Sequence, residues 1–340
     1  MAKPLLGIAV LVALVAAAFA YTAGLFSSTR LTPDRFLAQL QPAEGPSPGH
    51  RRNHLKGICF VGDFEASGAG TALSRAAVFK PGHYPVVGRF NLADTHLHAS
   101  DAMAGVRGMS IQITAPDGEQ WRSAMIDAPM FPVATPQAFY ELLGLGRSKD
   151  PQALPHFAVA HPEFAAFGAL SARLQHTASY AQDQYNSIDS FIFTDGTGEH
   201  HAVRWAVLPA VPPEPKTQEQ LNQLGPDFLF ADLRTRQAAA PLRFTVQVVV
   251  ASPGDPTAEP SKAWPADRQH VDVGVITVQQ IQDEANARCR DVNYDPTVLP
   301  DGMQVSDDAF LAARSAVYAR SYELRTAEDA DYPRTAPTSP

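Results

Sequence analysis

Three blocks of short β-rich runs, each bounded by Gly, Pro or Asp, constrain the fold of this chain more than any other feature. The first block holds Gly57–Phe64, Val86–Leu92 and Gly108–Ile113. The second holds Ser190–Asp195 and Ala202–Leu208, and the third Leu242–Val250 and His270–Val278. Leu242–Val250 sets Arg, Thr and Gln against apolar residues, the alternation of a strand with one buried face. Turn signals at this spacing predict antiparallel strands in a sheet or barrel. Helical patterns interrupt and follow them at Pro33–Leu40, Pro136–Leu143, His161–Thr177, Gln218–Gln237 and Ser306–Thr326, and 211–216 reads as a loop. The expected architecture is α+β: one antiparallel barrel core over residues 28–326, with helices inserted and appended, and a polar, Pro-rich tail at 327–340 read as disordered.

At the N-terminus, Lys3 precedes an apolar run from Leu5 to Leu25, with no further charge until Arg30. Such a run is long enough for a bilayer. It also has the basic start, apolar middle and small residues (Ala16–Ala18, Ala20) of an export signal. A buried helix of the fold is the alternative. Because the run continues past the Ala-rich stretch, residues 1–27 are read as a signal or, by preference, a retained anchor. The rest of the chain is then expected outside the cytoplasm, in the periplasm and tethered to the inner membrane. A net charge of −8 argues against a nucleic-acid partner. Cys59 and Cys289 could pair, but their separation in sequence shows no proximity, and both are read as inert packing residues.

Three stretches carry chemistry. In the last helical pattern, Tyr318 falls about 40° and Arg325 about 20° from Arg314, one stripe at about 100° per residue. An Arg one turn before a Tyr can lie against its phenol oxygen. A guanidinium there stabilises phenolate, and iron(III) does so far more. A solvated face with an ordinary surface Tyr would give the same pattern. Second, Arg51-Arg52-Asn53-His54 opens the first β-rich run, where His54 could face a cavity or belong to a surface basic cluster. Third, Arg89 and Arg107 interrupt β-rich runs, and burying them without an anion is costly, so an outward face is the plain reading. Thr95-His96-Leu97-His98 and Glu199-His200-His201 suggest a metal site, against the simpler alternative of loop histidines at the barrel ends.

Taken in order along residues 45–326, these stretches resemble the catalase family. The resemblance rests on Arg51-Arg52-Asn53-His54 with Lys56-Gly57, Arg89-Phe90-Asn91, Arg107-Gly108-Met109, Asp117-Gly118 and Trp121. It continues through Trp264-Pro265, Asp295-Pro296, Pro300-Asp301-Gly302 and Arg314 with Tyr318. It implies a catalase-like barrel that binds haem b and acts as a peroxidase on hydrogen peroxide or an organic hydroperoxide. Tyr318 would be the iron ligand with Arg314 beside it, and His54 the acid–base. Arg51, Arg89 and Arg325 would hold propionates, and Phe139 would lie against the porphyrin. Two departures stand out. Ile126 falls where the family has an amide, with Asp127 beside it, and Asn91 replaces a Ser that orients the His. The missing amide implies weak catalase activity at most. The family's long wrapping segments have no counterpart after the last helix, which implies a monomer or small homo-oligomer. An organic electron donor completes the expected reaction. Other readings of the same barrel are an enzyme that rearranges fatty-acid hydroperoxides, a haem carrier, or a barrel that binds an apolar ligand without chemistry.

Overall fold

The computed structural model describes residues 2–22, 30–103, 105–174 and 176–334. Ten strands form one sheet: β1 (Gly57–Ala66), β2 (Gly82–Leu92), β3 (Arg107–Thr114), β4 (Gln120–Ile126), β5 (Tyr185–Asn186), β6 (Phe191–Thr194), β7 (His200–Pro209), β8 (Leu242–Val250), β9 (Gln269–Gln282) and β10 (Met303–Val305). Their order is β10-β6-β7-β5-β4-β3-β2-β1-β9-β8, and β8 pairs back onto β7. That pairing closes eight antiparallel strands into a barrel, with β6 and β10 as a flap extending from β7. The α+β expectation therefore stands. β4 was not legible as a strand beforehand, although its residues are alternately buried, from Trp121 to Met125.

Aromatic side chains fill the barrel. Phe90 meets Phe60 at 5.0 Å and Tyr180 at 5.3 Å between ring centroids, and Trp121 meets Trp205 edge-on at 5.2 Å. Phe60 faces Gly88 across the β1–β2 ladder, and a Cβ at Gly88 would lie 2.0 Å from the Phe60 ring. Glycine is thus what admits the ring. With its interior packed this way, the barrel has its site elsewhere, on the outer wall.

The helices are α1 (Ala2–Thr22), α2 (Pro33–Leu40), α3 (Pro136–Leu145), α4 (Ala153–Ala160), α5 (Pro162–Ser171), α6 (Gln218–Asn222), α7 (Phe228–Ala239) and α8 (Ala309–Ala327). Thr32, Thr135 and Asp308 cap α2, α3 and α8 by accepting backbone N–H bonds. Two helical expectations need correction. Gln218–Gln237 is two helices, because Gly225-Pro226 cannot continue a helix. His161–Thr177 is helical only to Ser171, and a separate helix precedes it.

Cys59 and Cys289 are not inert packing residues. They form a disulfide with Cα atoms 5.7 Å apart across 230 residues of sequence. Among the described residues no helix is long and apolar enough to cross a membrane, so the anchor expected at residues 5–25 finds no support here. Residues 23–29 lie outside the described residues. Part of the tail read as disordered packs on the domain: Glu328 pairs with Arg52, and Tyr332 stacks on His50 at 3.9 Å.

Phe90 is completely buried and touches four other rings. Phe90→Ala is expected to cost about 3–5 kcal/mol, read as a lower urea midpoint at unchanged slope. A loss under 1 kcal/mol would mean the barrel interior is not the packing core.

Candidate haem site

The principal cavity lies outside the barrel, between β2, β3 and β4 and a cover made of α2, α3 and α8. Its empty space, open mouth included, is about 1,320 Å³. Strand alternation explains its lining. On β2, Phe90 points into the barrel, so Arg89 and Asn91 point out into the cavity, as Ser110 does on β3 and Ala124 and Ile126 do on β4. The structure brings all seven predicted site residues to this wall: Arg51, His54, Arg89, Phe139, Arg314, Tyr318 and Arg325. The stripe on α8 is therefore no solvated face. Arg89 does point outward from the barrel, but it is 2% exposed because other chain covers it. Arg107 is also buried, paired with Asp183 away from the cavity.

His54 sits in the left-handed backbone region at φ 56°, held by an N–H bond to Asn53 Oδ1 and by its own carbonyl, which accepts from Arg89 at 2.7 Å. Its Nδ1 lies 2.6 Å from Asn91 Oδ1. Asn91 thus takes the orienting position that the resemblance left in doubt. An amide oxygen only accepts, so Nδ1 carries the proton and Nε2 is the basic nitrogen. Burial, chiefly, with Arg89, Arg314 and Arg51 nearby, pulls the imidazole down to about 4. It is neutral at pH 7.

Tyr318 lies one turn from Arg314, whose Nη2 donates to the phenol oxygen at 3.3 Å and to the Ala124 carbonyl at 2.8 Å. The other side of that guanidinium pairs with Asp189, a buried carboxylate that sequence reasoning missed. A lone Asp between β5 and β6 gives no periodic signal.

Arg51, Arg89 and Arg325 form the basic wall. Arg89 donates to both oxygens of Glu284 and to the His54 and Leu55 carbonyls, leaving one of its five N–H groups. Arg51 donates to Glu284 and to the carbonyls of Cys289 and Val292. Arg325 donates only to the Arg290 and Val292 carbonyls. Burial would raise the Glu284 carboxyl, but Arg89 and Arg51 beside it win and hold it below its usual value. Burial and then Arg51 pull Arg325 down to about 9. Two guanidiniums thus share one carboxylate with a third beside them on carbonyls alone, and two positive charges are in excess. Buried unpaired charge is costly, so the wall suits a ligand edge with two carboxylates. Glu284 was not legible either, since one acid in the polar run Gln282-Asp283-Glu284 gives no sign of its partners.

Ile126 lines the cavity, while Asp127 turns away, accepting the Arg107 N–H at 3.0 Å. Burial and then Asp183 push Asp127 up to about 7. His96 and His98 lie in an irregular turn. Asp195, Glu199 and His201 bring ligand atoms within 4.8 Å, but one Asp195 oxygen is bound by the Thr197 and Glu199 N–H groups of the turn.

A closed barrel with such a cavity on its outer wall places the chain in a known class. It belongs to the catalase family, whose family model matches residues 42–332. It is similar to a protein named catalase-related peroxidase from Synechococcus elongatus, 35% identical over 93% of this chain and 95% of that one. A second of that name, from Mycolicibacterium paratuberculosis, is 32% identical over 88% of this chain and 96% of the other. Among solved structures, a bacterial catalase superposes with TM-score 0.72 at 18% identity over 86% of this chain, and Saccharomyces cerevisiae catalase A with 0.70 at 16% over 81%. The chain spans 60% and 61% of those catalases' lengths. The family implies haem, and the residues present fit one: a phenol under a guanidinium, a neutral imidazole, and a wall two positive charges in excess.

A Cβ on Gly57 would lie 2.1 Å from the Arg89 guanidinium carbon. Gly57→Ala is expected to push Arg89 off Glu284 and to weaken haem uptake ~10-fold, the low end for disturbing groups that orient cofactor contacts. Titration with haem, followed by absorbance, checks this. Unchanged affinity would show that Arg89 is free to adopt another place.

Proposed function

We propose that the protein is a haem b peroxidase that reduces hydrogen peroxide or an organic hydroperoxide with an organic electron donor, and that it releases dioxygen weakly. The observation that carries this reading is the convergence of Tyr318–Arg314, His54–Asn91 and the surplus guanidiniums on one cavity. Bound there, haem supplies the redox chemistry of a two-electron reduction of peroxide. Tyr318 offers its phenol oxygen as the iron ligand, and Arg314 favours its anionic form. Arg51 and Arg325 retain free N–H donors for the propionates, and Arg89 adds charge and braces the His54 backbone. Phe139 packs among Phe36, Phe131 and Phe310 as part of the apolar wall.

His54 does the proton work. Its neutral Nε2 takes the proton from one peroxide oxygen and delivers it to the other, which leaves as water, or as an alcohol from an organic hydroperoxide. The donor then returns two electrons, with two protons, so hydrogen peroxide gives two waters and an organic hydroperoxide one water and one alcohol. Ile126 offers no hydrogen bond to a second peroxide, and this favours the donor over dioxygen release. Phe36, Leu37 and Val317 on the cavity wall favour an apolar donor or hydroperoxide, which keeps hydroperoxide rearrangement as the second reading. The basic, apolar leader and the buried disulfide both support export to an oxidising compartment.

Three outcomes are expected. Tyr318→Phe abolishes stable haem binding or removes the phenolate-ligated high-spin iron(III) spectrum, and an unchanged spectrum at full haem content rejects the ligand. His54→Ala keeps haem but slows reaction with peroxide by at least ~10²-fold. In the natural protein that rate stays level from pH 8 towards pH 5 and falls as pH drops through about 4, where His54 gains its proton and loses its base. Stopped-flow spectra at each pH test both. In a carrier the natural protein would react with peroxide no faster than His54→Ala.

A further inference from the structure

We infer that the Cys59–Cys289 disulfide fastens the basic wall of this pocket, so that its closure sets how tightly the protein holds haem. This rests on the haem reading above. Every acceptor that orients Arg51 and Arg325, and the carboxylate that pairs with Arg89, lies on one stretch of nine residues. The Glu284 carboxylate takes Arg51 and Arg89, the Cys289 carbonyl takes Arg51, the Arg290 carbonyl takes Arg325, and the Val292 carbonyl takes both Arg51 and Arg325. This stretch follows the end of β9 at Gln282 and joins no ladder. Its backbone bonds are those of two short 3-10 turns, Glu284–Asn286 and Arg288–Asp291.

What ties it to the barrel is a small buried core of Cys59, Val87, Ala287, Cys289 and Tyr294, with the covalent bond at its centre. Cys59 is also the residue directly across the ladder from Arg89. The bridge therefore joins the acceptor stretch to the rung that bears one of the three arginines. Apart from the arginine contacts it orients, its other ion pairs are weaker, since Asp329 and Asp291, which pair with Arg290 and Arg334, are both well exposed. Three buried cations around one anion repel one another. If the stretch moved, their orientation would move with it, and the barrel would not need to unfold.

Cys59 and Cys289 are both completely buried. The closed bridge is thus shielded from dissolved reductant, and closure accompanies folding. Closing it removes two electrons and two protons from the two thiols. A disulfide of a thiol-oxidising protein accepts them and becomes a dithiol, the chemistry of an oxidising compartment. Haem retention is thereby coupled to arrival in that compartment.

The full chain is prepared with the bridge closed and with both thiols reduced, each verified by alkylation and mass, alongside the double variant Cys59→Ala/Cys289→Ala. All are titrated with haem, and thermal unfolding of the haem-free proteins is recorded. The two open forms are expected to keep their circular dichroism and to bind haem ~10–100-fold more weakly, as on loss of groups that orient a cofactor's direct contacts. Phe193→Leu, buried on β6 and away from the cavity, is the control for general destabilisation. It should lower the melting temperature and leave haem affinity within ~2-fold, as for a site that shares no partner with the pocket. If the double variant does not fold, the reduced natural chain gives the comparison. Equal affinity in closed and open forms overturns the inference, as does equal loss of haem in Phe193→Leu at a matched melting temperature. Two free thiols in protein purified from an oxidising medium overturn it as well. A closed form that takes up no haem overturns the haem reading first.

Discussion

The barrel interior is filled with rings, and this constraint shapes everything else. Phe60, Phe90, Trp121, Tyr180, Tyr185 and Trp205 pack against one another there as part of the hydrophobic core. Chemistry has to use the outward positions of the strands, and those are wet unless something covers them. Cover comes from α8, α2 and α3, which turn the outer face of β2, β3 and β4 into a second, partly apolar interior. Peroxide chemistry benefits from that placement. The imidazole of His54 is dry enough to be neutral, and the rigid strands behind it fix Asn91.

Burying arginines on that face creates the central electrostatic problem of the molecule. Removing a guanidinium from water is costly, and three of them converge with only Glu284 to balance them. Backbone carbonyls of the Cys289–Val292 turn make up part of the deficit. The rest is left for a ligand with two negative charges. A pocket of this kind is poorly satisfied when empty and well satisfied when filled, which is how a protein reserves a place for a cofactor. The cost also explains why a covalent bond sits behind the wall: acceptors for like charges in close company have to be held by something stronger than the turns that present them.

Much of this was legible without coordinates. Short β-rich runs bounded by turn residues marked seven of the ten strands, and the α8 stripe placed Arg314, Tyr318 and Arg325 on one side. The ordered motifs nominated His54 and the remaining arginines. Failures had physical causes. Gln120–Ile126 carries Gln, Arg and Ser among its apolar residues and did not read as a strand until its neighbours were known. Gln218–Gln237 has helical composition on both sides of Gly225-Pro226, and there local chemistry overrode composition. Glu284 and Asp189 stand in polar or isolated settings, where only spatial neighbours distinguish them from surface acids.

Sequence alone determined the fold class, the buried face of Leu242–Val250 and the helix stripe, because these follow from turn signals and from periods of 2 and 3.6 residues that a local stretch carries. It also supplied the residue types of the site. It could not say that Arg89 is both outward-facing and buried, since alternation reports the face and not what covers it. Nor could it pair Cys59 with Cys289, or bring Glu284 to Arg51 and Arg89, because those contacts join positions about two hundred residues apart. Only closure of the barrel, which lays the end of β9 beside β1, brought them together, and with them came the charge balance on which the site depends.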